Sequence, residues 1–296
     1  LPALQKSASS VLEFLAQQFP AVDQQRWRQR MLRGDVLDAT GQPLAPDTPY
    51  LPDTRIYYYR ELETEIPVPF QEQILYEDDH ILVADKPHFL PVAPSGSYLH
   101  ETLLTRLRQR TGCAHLIVLH RIDRDTAGLV LLSKNPASRD LYHALFRDRQ
   151  LQKTYEALAP FREELVLPLT RESRIDVAAE FYRRQEVPGP VNAVSHIDLI
   201  ERRGDLARYR LQPVTGKTHQ LRLHMSALGI PILNDPYSPE ERAGGTKERA
   251  GGSEETTPRQ SDFTQPLQLL AQALTFTDPV TGESRHFTSR QQLHWP

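Results

Sequence analysis

The sequence predicts an α+β fold: a mixed, largely antiparallel sheet with flanking helices, preceded by a small α/β module. Three observations predict it. Strand-like runs such as "HILVADK" and "GLVLLSK" mix with helix-like runs such as "ETLLTRLRQRTG", without the regular strand–helix–strand alternation of a doubly wound sheet. The acidic, proline-containing stretch "ELETEIPVPFQE" (61–72) reads as a linker. The 296 residues have ordinary hydrophobic content, enough for one large domain and one small one. The expected division is a small module over 1–65 and a larger domain over 66–296.

In the first module, "SVLEFLAQQF" places Val11, Leu12, Leu15 and Phe19 at helical spacing. "DQQRWRQRMLRG" reads as a second helix, with Asp23 as N-cap and Gly34 as C-terminal stop. Arg26, Arg30 and Arg33 are expected on one face, opposite Trp27 and Met31. Short strand-like pieces follow, ending in "TRIYYYREL".

The second region opens with "QILYEDDHILVADKP", a strand, a turn and a strand. A helix over 101–112 stops at Gly112. "HLIVLH" and "GLVLLSK" read as strands on either side of a charged turn. Asn135 as cap and Pro136 as first helical residue predict a helix running to about Gln150, with Leu141 and Leu145 inward. "KTYEALAP" is a further strand. "ARYRLQPVTGKTHQLRLHMSALGIPI" reads as strand, turn and helix, with Gly229 as stop. Residues 239–262 contain "ERAGGTK" followed at once by "ERAGGSE" and almost no apolar side chains, so a flexible insertion is expected there. "LQLLAQALTFTDPVTGESRHF" reads as a helix or strand followed by a hairpin.

Composition narrows the function classes. No run approaches the roughly 18 apolar residues of a membrane span, and the start lacks a signal-peptide pattern. Cys113 is the only cysteine, which excludes an internal disulfide and a multi-cysteine metal site. A reducing, cytoplasmic setting is expected. Net charge is −3, so a nucleic-acid partner has to be argued from local patches.

One such patch is "HRIDRDTAGLVLL" (120–132), with four charges in the five residues from Arg121 to Asp125, enclosed by apolar runs. A carboxylate between two strands lies at the rim of a sheet, where a cleft can form. By itself this reads first as a solvated turn with weak surface ion pairs. Two further stretches change the weighing. In "TGKTHQLRLH" (215–224), Gly216 allows a tight turn, Lys217 follows at the helix entrance, and His219, Arg222 and Ser226 fall along one helical row. "KTYEALA" sets Tyr155 in a strand just after a basic helix, and residues 120–153 hold seven Lys or Arg against four Asp.

Together "HRIDRDTAGL", "QKTYEALAP" and "TGKTHQLRLHMSALGIPILNDPY" resemble, in order, the motifs of the RluA-type RNA pseudouridine synthases, and "DDHILVADKP" is similar to the strand pair that opens their catalytic domain. Residues 10–60 more loosely resemble the small RNA-binding module often fused ahead of it. The chain departs from the family pattern at Ile122, Ala127 and Asn234, and in "KPHFLPVAPSG", where the family is richer in glycine. The resemblance implies isomerisation of uridine in structured ribosomal or transfer RNA, with the base drawn out of the stack. It implies no cofactor and no metal for chemistry, RNA as partner, no membrane, and a monomer. By match to the motifs, Asp123 is the catalytic carboxylate, acting as nucleophile or as base. Arg222 is its ion-pair partner, and Tyr155 stacks on the extruded uracil. Arg121 holds the RNA where the base has left, Leu223 gives an apolar wall, and Lys217 and His219 contact substrate. Two other readings stand beside this one. An RNA-binding protein without catalysis would share the fold. "DRDT" resembles the signature of an aspartyl-phosphate phosphotransferase, but its Thr126 comes one place too early. A zinc deaminase is excluded by the missing cysteine ligands.

Overall fold

A computed structural model describes residues 8–20, 22–59, 65–178, 184–236 and 263–296. The insertion expected at 239–262 lies outside the described residues. The chain divides into two compact units, the second beginning at Glu65.

The first unit contains α1 (Val11–Gln18), α2 (Gln24–Arg33), and the two-residue strands β1 (Val36–Leu37) and β2 (Tyr57–Tyr58), which pair antiparallel. Asp23 caps α2 by accepting from the Gln25 N–H, and Gly34 ends it at φ 81°, where a side chain would be strained. Leu12, Leu15, Trp27, Met31 and Val36 form its core. The arginine face differs from expectation. Arg30 is buried with its guanidinium 4.9 Å from the Trp27 ring centroid, because positions 27, 30 and 31 share one side of the helix. Arg33 faces solvent and pairs with Asp35 at 2.9 Å.

The second unit is built on an eleven-stranded sheet. In chain order come β3 (Gln73–Glu77), β4 (Ile81–Lys86), α3 (Leu103–Thr111), β5 (Ile117–Val118), β6 (Ala127–Ser133), α4 (Arg139–Arg147) and β7 (Gln152–Pro160). Then follow β8 (Leu169–Val177), β9 (Arg184–Val187), β10 (Ala193–Arg203), β11 (Leu206–Pro213), α5 (Gln220–Ala227), β12 (Leu269–Thr277) and β13 (Ser284–Thr288). The spatial order is β3-β4-β6-β12-β7-β11-β10-β8-β9, with β5 beside β6 and β13 beside β12. Among the described residues every pairing is antiparallel except that of β6 with β12. β12 is thus the seam between a β3-β4-β6 half and a β7-β11-β10-β8-β9 half. At this seam Gly128 sits at φ +110°, and a Cβ there would come 2.3 Å from the Ala271 carbonyl oxygen, so only glycine fits.

Alternation sorts the core onto two faces. Leu82, Ala84, Val130 and Leu132 meet Leu103 and Leu107 of α3. On the same side Ala157, Tyr209 and Leu211 meet Leu221 and Met225 of α5. The opposite side packs Val83, Leu129, Leu131 and Leu274 against Tyr142 and Leu145 of α4. Because both faces are covered, β4 and β6 are buried at every position, which explains their continuous apolar runs.

Several expectations are corrected. α4 begins at Arg139 after Ser138, while the Asn135 side chain accepts from the Ala137 N–H in a turn ahead of it. The later start puts Tyr142 and Leu145 inward, three apart, and leaves Leu141 exposed. Residues 65–72 are not a free linker. Glu65 accepts from the backbone of Leu99, His100 and Glu101, Val68 is buried, and Arg106 of α3 donates to the Val68 and Phe70 carbonyls. The "LQLLAQALTFT" stretch is a strand, β12.

Candidate active site

Asp123 stands in the turn that leads into β6, with its side chain one-quarter exposed. Two groups from the end of β4 hold this turn from below. The Lys86 ammonium, itself fully buried, donates to the carbonyls of Pro87 (2.9 Å) and Arg124 (3.0 Å). His88 Nδ1 donates to the Asp125 carbonyl at 2.7 Å. Burial pushes the Lys86 pKa down to about 7, with Asp125 and Asp123 opposing that shift, and burial pushes His88 down to about 4. Asp125 points away from solvent and takes the Arg124 Nε–H at 2.9 Å, so it secures the turn and is not a solvent-facing charge. The interruption of the apolar run is therefore a braced loop that leaves one carboxylate open.

Across the sheet seam, α5 brings the partner. Leu221 and Met225 enter the core, while Gln220 Nε2 donates to the Val194 carbonyl and Ser195 Oγ, both at 2.9 Å. His224 lies 3.0 Å from both Ser195 Oγ and Ser173 Oγ, and burial pushes its pKa down to about 4. These bonds fix the helix, and Arg222 projects from it with only 3% of its side chain exposed. Its Nη1 donates to Asp123 Oδ2 at 3.1 Å, although 99 residues separate the two in sequence. Its Nε and Nη2 form a fork on Asp235 at 2.9 and 2.5 Å. Burial opposes the guanidinium charge, but the Asp235 and Asp123 contacts outweigh it and the pKa is raised.

His219 Nε2 lies 3.9 Å from Asp123 Oδ1, and burial lowers its pKa against the pull of Asp123. The left-handed residue at the helix entrance is His219, at φ 58°. Gly216 has no positive φ, so the tight turn expected there falls three residues later. Tyr155 lies half-buried on β7 and packs against both the α3 and the α5 clusters. Burial first, and the Asp123 charge second, raise its pKa, so its hydroxyl stays protonated. Arg121 and Lys217 are exposed, and Leu223 is half-buried on α5. The structure thus gathers Asp123, Arg222 and His219 at one point. Asp235 and Lys86, which position them, were not identified as site residues by the sequence reading; an acidic residue shortly after the helix and a lysine inside an apolar strand are the signals that point to them. Among the described residues no group of His, Cys, Asp and Glu is arranged to hold a metal ion, and no helix is long and apolar enough to cross a membrane.

A partly exposed carboxylate held by a buried arginine, with Tyr155 near enough to feel its charge, is an arrangement that can act as nucleophile or base. Comparison with known proteins makes the class specific. Residues 80–227 match the family model described as RNA pseudouridylate synthase. The ribosomal large subunit pseudouridine synthase D of Vibrio vulnificus is 31% identical over 288 residues, covering 92% of this chain and 84% of that protein. The dual-specificity RNA pseudouridine synthase RluA of Haemophilus influenzae is 29% identical, covering 74% of this chain and 93% of its own. Of human pseudouridylate synthase RPUSD2, at 32% identity, the alignment spans 30%. The solved structure of human RNA pseudouridylate synthase domain containing 1 shares the fold, with a TM-score of 0.56 at 21% identity, covering 75% of this chain and 84% of that one. The chain belongs to the RluA-type RNA pseudouridine synthases. It is an isomerase that converts uridine to pseudouridine in RNA. That leaves no place for the phosphotransferase reading.

Proposed function

We propose that Asp123 is the catalytic carboxylate of this isomerisation and that the substrate is a uridine in ribosomal or transfer RNA. The reaction breaks the bond between uracil nitrogen and ribose, turns the base, and rejoins it through a ring carbon. That carbon loses its proton and the nitrogen gains one, so composition is unchanged and no oxidant is needed; the nucleophilic and proton-transfer steps are assigned to protein side chains. The observation that carries the reading is the 3.1 Å contact between Asp123 and an Arg222 already forked onto Asp235. The guanidinium holds the Asp123 carboxylate in place, and a carboxylate so held can act as nucleophile or base.

The other roles follow from place. Tyr155 offers its ring to the extruded uracil, where stacking contributes about 1–3 kcal/mol per base. Leu223 lines the same cleft, and His219 touches the substrate beside Asp123. Arg121 and Lys217, both exposed, hold the surrounding RNA. The residues up to 65 serve as a separate RNA-binding module, and the enzyme acts as a cytoplasmic monomer. The relatives' names support both RNA classes, one being a large-subunit enzyme and another dual-specificity. The test is modification mapping of ribosomal and transfer RNA treated with the full chain. A new pseudouridine at a defined position is expected, and its absence from every RNA would reject the assignment of substrate.

A further inference from the structure

Arg222 donates to Oδ2 of Asp123, and His219 stands on the other oxygen, its Nε2 3.9 Å from Oδ1. Both side chains keep part of their surface open, 16% for His219 and 25% for Asp123. The position of His219 is built by its neighbours. The Gln220 side chain accepts from the Thr215 hydroxyl at 2.7 Å and from the Lys217 N–H at 3.0 Å, which braces the turn that enters α5. His219 closes this turn at φ 58°, a left-handed conformation that is uncommon for a residue with a side chain and is held by its surroundings. Its imidazole caps none of the helix N–H groups and stands beside Asp123 instead.

The reaction needs a proton carrier at this point. Once C5 of the turned uracil has bonded to the ribose, that carbon still carries its hydrogen and the ring holds a C6–N1 double bond. A base takes the C5 proton, the C–H electron pair restores the C5–C6 double bond, the C6–N1 π pair moves onto N1, and N1 takes a proton. The ring enters and leaves this exchange neutral, so one group that first accepts and then donates completes it. Most neighbours are unsuited. Arg222 is a fixed cation, and the Tyr155 hydroxyl keeps its proton because burial and the Asp123 charge raise its pKa. The Lys86 ammonium is turned to two carbonyls of the chain. A histidine can perform both halves near neutral pH. The charged groups that act on His219 are Asp123 from the turn before β6, Arg222 on its own helix, Asp235 beyond that helix and Arg184 at the start of β9. Burial outweighs the two carboxylates and leaves the imidazole neutral, ready to accept.

We propose that His219 is the proton carrier of the isomerisation, taking the proton from C5 of the rejoined uracil on Nε2 and returning it to N1. This rests on the reading that Asp123 is the catalytic carboxylate. The experiment compares wild type, His219→Gln and Asp123→Asn in single-turnover pseudouridine formation on ribosomal and transfer RNA transcripts that carry hydrogen or deuterium at uracil C5. His219→Gln should react about 100-fold more slowly than wild type. Deuterium should slow this variant by a larger factor than it slows wild type, because loss of the C5 proton has become the slow step. The deuterium ratio is taken within each variant, so a loss of folded protein does not alter it. A His219→Gln rate close to that of wild type would overturn the proposal and leave the proton to Asp123 itself. A slow variant without the added response to deuterium would also overturn it, and would make His219 a positioning residue. An Asp123→Asn variant as fast as wild type, beside a His219→Gln variant with the deuterium response, would keep the carrier and remove the reading of Asp123 alone.

Discussion

Asp85 and Asp123 are both aspartates at the ends of the β4–β6 pair, yet they are treated in opposite ways. Asp85 is fully enclosed, accepts from Ser289 Oγ at 2.7 Å and from the Arg290 N–H at 2.6 Å, and burial raises its pKa. Asp123 keeps an open side and has a full cation beside it in Arg222. The first carboxylate is saturated by neutral donors and ties the C-terminal segment to the sheet. The second is held by a cationic partner and left accessible. Under the proposed function, one fold thus makes one carboxylate a fastener and the other a reagent according to what their oxygens face.

Substitution can break that contrast. Asp123→Asn should stop pseudouridine formation while RNA still binds, and stability should fall by no more than about 1 kcal/mol because Arg222 keeps Asp235. Single-turnover modification with a parallel binding titration would measure both, and residual activity near the wild-type rate would make another group the reagent. Arg222→Met should destabilise by about 3–5 kcal/mol, since it strands the buried Asp235 carboxylate, and denaturant unfolding would show it. A change below 1 kcal/mol would mean that Asp235 finds another donor. Asp85→Asn should cost about 1–3 kcal/mol, because an amide cannot accept from both donors as a carboxylate does. Its activity per folded molecule should match wild type, and a specific activity well below that would erase the distinction drawn here.

A smaller effect concerns Lys86. Its folded pKa of about 7 lies below the roughly 10.4 of an unfolded lysine. Between those values the unfolded chain binds more protons, so this contribution to stability grows with pH and is lost as pH falls through 7. The melting-temperature advantage of wild type over Lys86→Met should widen from pH 6 to pH 9. A difference independent of pH would show that the ammonium keeps its charge throughout.

The strands of the central sheet were legible because they are buried on both faces and appear as unbroken apolar runs. β8, β9 and most of β10 were not, because their outward positions carry Arg, Glu and Asp, and the inward ones include Ser195, a residue whose purpose depends on His224, 29 positions away. The helix stops at Gly34, Gly112 and Gly229 were read correctly, since a left-handed residue is a local requirement. The phase of α4 was misread because two plausible caps lie three residues apart. Asp123, Arg222 and Tyr155 were visible through motif resemblance. Lys86 was hidden, because a lysine in a sequence is by default a surface residue and only packing shows otherwise.

The seam formed by β12 has a consequence for how the molecule is made. Asp123 belongs to the half of the sheet that ends at β6, whereas Tyr155 and Arg222 belong to the half that begins at β7, and β12 is the strand between them. A ribosome delivers all of these residues before it delivers β12. Until then the two groups of strands lack the one strand that pairs with both. A chain cut before Leu269 is therefore expected to leave Asp123 and Arg222 on separate halves and to form no pseudouridine, which truncation followed by modification mapping would check.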